Sequence, residues 1–586
     1  MSKQHATLGD FTTDGRQIAL LTGLAVVIGL LSGLLAWVLL RLIGLITHLA
    51  YDGRVGWSLM APSLRHWGVA SLFIPVVGGL AVGFLAKYGT DKIRGHGIPE
   101  AIQAILEKQS RMEPKVALIK PIASAVTIGT GGPFGAEGPI IMTGGAIGSL
   151  IGQCLSLSSL ERRVLLVAGA AGGMSATFGA PVAAVLLAVE LLLFEWRPRS
   201  LVPVVASSSV ADLIRYWLVG SRPIFFTHAI LNSYGEMLFA ALILGLAAGL
   251  VSGLFTKSVY FVEDLYRRLP VHWGWWPAIG GLVVGLGGLI DPRALGVGYG
   301  TIRLLDAGHI LWAAAFTLFV VKAVIWVASL SSGTSGGVLA PLLFLGGALG
   351  TMLSPLFPGH VTAVFATCGM AAMLGGTMRA PFTATLFTME TTHDWALLLP
   401  VLLASVCAMV VTVLWIPRSI LTEKVARRGV HVAREYSVHP LESQSVRQIM
   451  RPAEEVVAFD RRMSWSALHA SLACLPDVRL HTFPVLDLKG QVVGVIRGAD
   501  VVDKAVGKIG DAVRPAVTIG EWERVRQAVE SMARNQVWDL AVIDEEGRWV
   551  GWLTQADVLN TWRRQIDEEN RRERTLWLGG GIRHYR

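Results

Sequence analysis

The chain has 586 residues, 53% of them hydrophobic and 16% charged, with a formal net charge of +9. So apolar a composition excludes a chain that coats itself in polar groups, and it points to a membrane protein. The basic residues flank apolar stretches and form no aromatic-interleaved patch, which argues against a nucleic-acid partner.

Residues 1–16 are polar and lack a short apolar core before a small-residue cleavage site, so they read as a cytoplasmic N-terminal segment and not as a secretory signal. Residues 17–430 are apolar, and Ile18–Leu40, Val69–Leu85, Met237–Leu254 and Leu397–Leu414 are each long enough to cross about 30 Å of hydrocarbon. A polar loop from Ser221 to Ser233 divides this region into two repeats, 17–220 and 234–430. Basic residues cluster at Arg197 and Arg199, and again at Arg418, Lys424, Arg427 and Arg428. The positive-inside tendency places those segments, and both termini, in the cytoplasm of a multi-pass protein of the plasma (inner) membrane, in contact with lipid. Cys154, Cys368, Cys407 and Cys474 are scattered, with no spacing of a zinc site or disulfide framework, and read as buried small hydrophobes.

In each repeat a glycine-rich stretch interrupts the apolar helical pattern: Gly129 to Gly135 in the first, Gly333 to Gly337 in the second. Matching interruptions in two halves point to a substrate site near the membrane midplane. Backbone left unpaired inside a bilayer costs several kcal/mol, so a broken helix persists there only when it lines a cavity or binds something. A helix starting at such a break aims free N–H groups and a positive dipole end into it, which suits an anion. Close helix packing is the competing use of glycine, and it fits Gly144 and Gly148.

After a linker at 431–444 the pattern changes to short apolar runs between polar turns: His481–Val485, Val492–Ile496, Leu540–Ile543 and Trp549–Leu553. Gly494–Asp500 matches Gly551–Asp557, so two copies of one small α/β fold are expected, over 445–506 and 507–567, before a charged, glycine-rich tail at 568–586.

Three ordered segments, Gly95-His-Gly-Ile-Pro-Glu100, Gly135-Ala-Glu-Gly-Pro139 and Gly336-Gly-Val-Leu-Ala-Pro341, resemble the signatures of the CLC chloride channel and transporter family. Lys120, Glu390 and Ser419–Gly429 extend the match over nearly the whole membrane region. The resemblance implies an all-α polytopic domain of tilted, partly broken helices in two inverted repeats, forming a homodimer with one pore per subunit. It implies anion coordination by backbone amides at Ala136, Glu137, Gly138, Val338, Leu339 and Ala340, with Gly95, His96 and Gly97 nearer the cytoplasm. Many weak dipoles can bind an ion without holding it irreversibly.

Glu137 is the gate in this reading. A carboxylate at a helix start can simply cap, but an ionisable residue within membrane-embedded sequence is functional by default. Ionised, Glu137 occupies the anion's own position; protonated, it releases those amides. Three departures from the family pattern bear on mechanism. Leu191 follows Glu190 where coupled exchangers carry an internal proton glutamate, and Glu195, five residues from Glu190, faces another direction. A channel is therefore favoured, with proton-coupled anion antiport as the alternative. His96 replaces a serine that offers a hydroxyl to the anion, and it is either an altered ligand or a packing residue. Leu421 stands where a tyrosine usually closes the central site, and Ala136 replaces a frequent basic residue. The anion expected is chloride or a similar small anion such as nitrate, bicarbonate or fluoride.

The duplicated C-terminal region resembles a pair of CBS domains. In that pattern Thr554 and Asp557 are expected to contact the phosphate or ribose of ATP, ADP or AMP, and Arg497 stands where the first copy lacks the threonine. A ligand-free structural role is the equal alternative. A nucleotide-sensing regulatory membrane protein is the rival from another class. No nucleophile with its base, metal-ligand cluster or phosphate-binding loop suggests an enzyme, and no required cofactor or metal is expected.

Overall fold

The computed structural model of the chain describes residues 7–8, 11–64, 66–193, 195–220, 222–225, 234–357, 361–428, 445–472, 482–488, 490–499 and 513–563. The linker 431–444, the tail 568–586, most of the loop 221–233, Cys474 and Asp500 lie outside the described residues. The chain divides into two units, Met1–Glu435 and Tyr436–Arg586.

In the first unit a short antiparallel pair, β1 (Thr7–Leu8) and β2 (Phe11–Asp14), leads into helices. The first half comprises α1 (Gly15–Thr47), α2 (Ile74–Tyr88), α3 (Ile98–Glu107), α4 (Pro114–Gly129), α5 (Glu137–Cys154), α6 (Ser159–Phe178), α7 (Pro181–Leu187) and α8 (Pro198–Leu218). The second half repeats the order with α9 (Tyr234–Arg267), α10 (Trp276–Ile290), α11 (Tyr299–Asp306), α12 (Trp312–Ser331), α13 (Leu339–Leu353), α14 (Thr362–Met378), α15 (Pro381–Thr392) and α16 (Leu398–Trp415). A last short helix, α17 (Ile420–Ala426), follows. Among the described residues eight helices are long and apolar enough to cross a membrane. In α1, Ala25, Ile28 and Ala36 are buried while Leu20, Val27 and Leu34 are exposed, the pattern of a helix with protein on one side and lipid on the other.

Glycines set the closest helix approaches. A Cβ on Gly144 of α5 would stand 2.2 Å from the Gly169 carbonyl oxygen of α6, and the second half repeats this with Gly346 and Gly369 at 2.3 Å. Cys154, expected to be buried, is exposed because it is the last residue of α5.

The C-terminal unit contains two sheets with one topology. In the first, β4 (Phe459–Asp460) pairs parallel with β5 (Thr482–Leu486), which pairs antiparallel with β6 (Val492–Arg497). In the second, β7 (Thr518–Gly520) pairs parallel with β8 (Asp539–Ile543), which pairs antiparallel with β9 (Trp549–Thr554). The two-residue strand Arg451–Pro452 adds to β9. Among the described residues each of the four short apolar runs forms a strand, and the common topology accounts for the Gly494 and Gly551 repeat as two copies of one small α/β fold.

Candidate functional site

The interruption in each half falls between two helices: α4 ends at Gly129 and α5 begins at Glu137, while α12 ends at Ser331 and α13 begins at Leu339. The two breaks meet antiparallel, with Gly337 N–H donating to the Gly135 carbonyl at 2.9 Å and Gly135 N–H to the Gly337 carbonyl at 3.4 Å. Two helix starts from opposite halves therefore share one buried place, and the first N–H groups of each lack partners within their own helix.

The Glu137 side chain fills that place. Its Oε1 accepts hydrogen bonds from Leu339 N–H at 2.6 Å and Ala340 N–H at 3.1 Å, so the first half's carboxylate lies on the second half's amides. Glu137 has no solvent exposure, and its Oε2 has no hydrogen-bond partner among the described residues. A Cβ on Gly135 or Gly337 would overlap this carboxyl group where it now rests. Ala136, Gly138 and Val338 are buried around it.

The Gly95-His96-Gly97 turn is pressed against the start of α5, where a Cβ on Gly138 would strike the His96 carbonyl oxygen. Gly95 N–H donates to the Thr334 carbonyl at 3.3 Å, tying the turn to the second break as well. The three signature segments are thus brought together. His96 is buried, and its Nδ1 has no hydrogen-bond partner among the described residues.

Leu421 is buried on α17, but Lys424 is the residue of that helix that reaches the turn: its Nζ stands where a Cβ of Gly95 would be. Lys424 pairs with Glu100 Oε1 at 3.3 Å, and Arg428 pairs with the same oxygen at 3.2 Å. Sequence reading assigned both cations only to membrane orientation. Their spacing, three and four residues apart across Leu421, Lys424 and Arg428 along and just past α17, was the available signal.

Two pairs of like residues recur in the two halves, each lysine tying down a turn of its own half and each glutamate capping a helix of the other. Lys120 Nζ donates to the carbonyls of Ile93 and Gly95, both at 2.7 Å; Lys322 Nζ donates to those of Ala294 and Gly296, at 2.8 and 2.9 Å. Glu190 Oε2 accepts from Thr383 N–H at 2.8 Å and from its hydroxyl, capping α15. Glu390 accepts from Val182 and Ala183 N–H at 3.0 and 2.8 Å, capping α7 in return. Glu190 and the buried Leu191 lie on a π-helical continuation of α7, Ala188–Leu193. Glu195 accepts from the Ser200 hydroxyl and pairs with Arg197 and Arg199 at the start of α8.

In the C-terminal unit Thr554 and Asp557 bond to each other: the Thr554 hydroxyl and N–H donate to Asp557 Oδ2 at 2.6 and 3.0 Å, and Asp557 N–H returns to the hydroxyl at 3.3 Å. Arg451 Nε donates to Asp557 Oδ1 at 3.0 Å. This is a reciprocal helix cap, a pattern that Thr-x-x-Asp in the sequence also signals. Arg497 is exposed at the end of β6.

The sequence model described as "Voltage gated chloride channel" matches residues 78–413. The H(+)/Cl(−) exchange transporter ClcA of Klebsiella pneumoniae is 31% identical over 407 residues, covering 65% of this chain and 83% of that one. Among solved structures, a slow cyanobacterial Cl−/H+ antiporter superposes with a TM-score of 0.63 at 24% identity, covering 70% of this chain and 97% of its own. A eukaryotic CLC transporter superposes with a TM-score of 0.59 at 19% identity, covering 92% of this chain and 97% of its own.

Proposed function

The chain belongs to the voltage gated chloride channel family, which transports chloride-like anions across membranes, and from that premise we propose that Glu137 gates anion passage by protonation. The observation that carries this reading is the seat of the Glu137 carboxylate on the Leu339 and Ala340 amides. Ionised, Glu137 holds the donors that a permeating anion needs. Protonated, it is a weaker acceptor for them, swings away, and leaves two N–H groups at a helix start for the anion. Flux rises as pH falls. Gly95, His96 and Gly97 line the approach, with Ala136, Gly138, Val338 and Leu421 around the site.

Passage is a passive channel in this reading, because Leu191 offers no carboxyl group for an internal proton step and Glu190 is committed to capping α15. Coupled exchange is the second reading, favoured by the named activity of the Klebsiella relative. The reversal potential of the purified protein under separate chloride and proton gradients separates them. A value set by chloride alone supports the channel; a value that moves with the pH gradient supports exchange and refutes the channel.

The functional form is a homodimer with one pore per subunit, in the plasma (inner) membrane with both termini cytoplasmic. The C-terminal pair binds an adenine nucleotide through Thr554, Asp557 and Arg497, which requires the ligand to displace the bonds between Thr554 and Asp557.

A further inference from the structure

The turn that carries His96 has a counterpart in the second half. Lys120 holds Gly95 as Lys322 holds Gly296, so Gly95-His96-Gly97-Ile98 corresponds to Gly296-Val297-Gly298-Tyr299. The corresponding turns begin α3 and α11, and in each the second glycine has a positive φ, +92° at Gly97 and +81° at Gly298. The first turn rests on the start of α5, which carries Glu137; the second rests on Phe344 of α13, which supplies the Leu339 and Ala340 amides.

The two turns lie at opposite ends of the pathway. α2 and α10 pack antiparallel: a Cβ on Gly83 of α2 would strike the Gly274 carbonyl just before α10, and one on Gly285 of α10 would strike the Leu72 carbonyl just before α2. The Gly95 turn follows the end of α2 and the Gly296 turn follows the end of α10.

Tyr299 is half-buried, yet its hydroxyl is fully buried and has no hydrogen-bond partner among the described residues. The ring packs edge-on against Phe178 at 6.3 Å and Phe225 at 5.8 Å, between centroids. Arg215 comes to the same place, since its Nη1 would stand 2.7 Å from a Cβ on Gly179, the neighbour of Phe178. Arg215 donates to the carbonyls of Gly220 and Arg222 and brings positive charge to the same end. An orphaned buried hydroxyl forfeits a hydrogen bond, a loss of about 1–3 kcal/mol unless another occupant takes it. Glu137 Oε2, at the start of α5, is a second buried oxygen without a hydrogen-bond partner among the described residues.

We propose that the Tyr299 hydroxyl donates a hydrogen bond to a small monovalent anion at the end of the pathway opposite Lys424, a side-chain ligand that only the second half supplies. The proposal rests on the reading that anions pass by way of the Leu339 and Ala340 amides. The anion entering from that end meets the Arg215 charge first, the Tyr299 hydroxyl next, and the amides once Glu137 leaves them.

The test is Tyr299→Phe, which removes the hydroxyl and keeps both ring contacts, measured on the full chain in planar bilayers with chloride varied on one side at a time. The expected result is a half-saturating chloride concentration roughly tenfold higher on one face and unchanged on the other, the scale of one lost hydrogen bond to a charged partner. No change on either face, an equal change on both, or loss of the folded protein would each overturn the proposal. The same comparison in a Glu137→Gln background keeps two failures apart. If Glu137→Gln alone leaves the pH dependence intact, the gate reading fails; if Tyr299→Phe is silent in both backgrounds, the ligand proposal fails.

Discussion

The two halves of the membrane unit agree where they build and differ where they bind. Lys120 and Lys322 each bridge two carbonyls of a glycine turn, and Glu190 and Glu390 each cap the short helix of the other half. At the breaks the halves part: the first starts its helix with Glu137, the second with Leu339. At the turns the first has His96 followed by Gly97 and Ile98, while the second has Val297, Gly298 and Tyr299. A duplicated frame thus supplies two sets of helix-start amides, and of the two helix starts the first alone carries a carboxylate. In the proposed reading the residues common to both halves are scaffold, and the unlike residues at the breaks and turns belong to the pathway.

That division can be broken by experiment. Replacing either scaffold lysine by methionine strands two buried carbonyls, a cost of about 2–6 kcal/mol at 1–3 kcal/mol for each unsatisfied group. Lys120→Met and Lys322→Met should therefore lower the unfolding midpoint in detergent by similar amounts, with whatever protein survives keeping its pH response. A variant that folds normally but changes that response would move its lysine from scaffold to pathway. The smallest effect is expected in the C-terminal unit, where Thr554→Ala removes half of a reciprocal cap, worth about 0.5–2 kcal/mol. Calorimetry of the full chain with ATP, ADP and AMP, before and after that change, sharpens the comparison. Binding lost with Thr554 supports a nucleotide site, and no binding in the parent protein leaves Thr554 and Asp557 as a cap alone.

Much of this was legible in the sequence, because it lies in local pattern. The two glycine breaks, the carboxylate beside the first of them, the division into repeats and the short apolar runs of the C-terminal region all follow from composition and period over short windows. What the sequence did not disclose depends on which segments cross. Nothing near Glu190 in the chain says that its oxygens cap α15, since Thr383 is supplied from the other half. Lys424 looked like one of several cytoplasmic cations, and only its approach to Gly95 brings it to the pathway. Tyr299 lacked any motif of its own. Its significance appears only when Gly296 is seen to be held by Lys322 as Gly95 is held by Lys120. Leu421 was chosen by alignment to a family position, and in the folded chain Lys424 is the member of α17 that comes to the turn.

The asymmetry that matters most is Glu137 against Leu339, and it is tested by anion flux into liposomes measured across a pH series for the parent protein, Glu137→Gln and Gly135→Ala. Glutamine carries no negative charge to hold the Leu339 and Ala340 amides, and a methyl group on Gly135 would overlap the carboxyl group where it now rests. The parent should conduct more as pH falls, while both variants should conduct at every pH with that dependence abolished or strongly flattened. A pH dependence in Glu137→Gln equal to that of the parent would contradict the account.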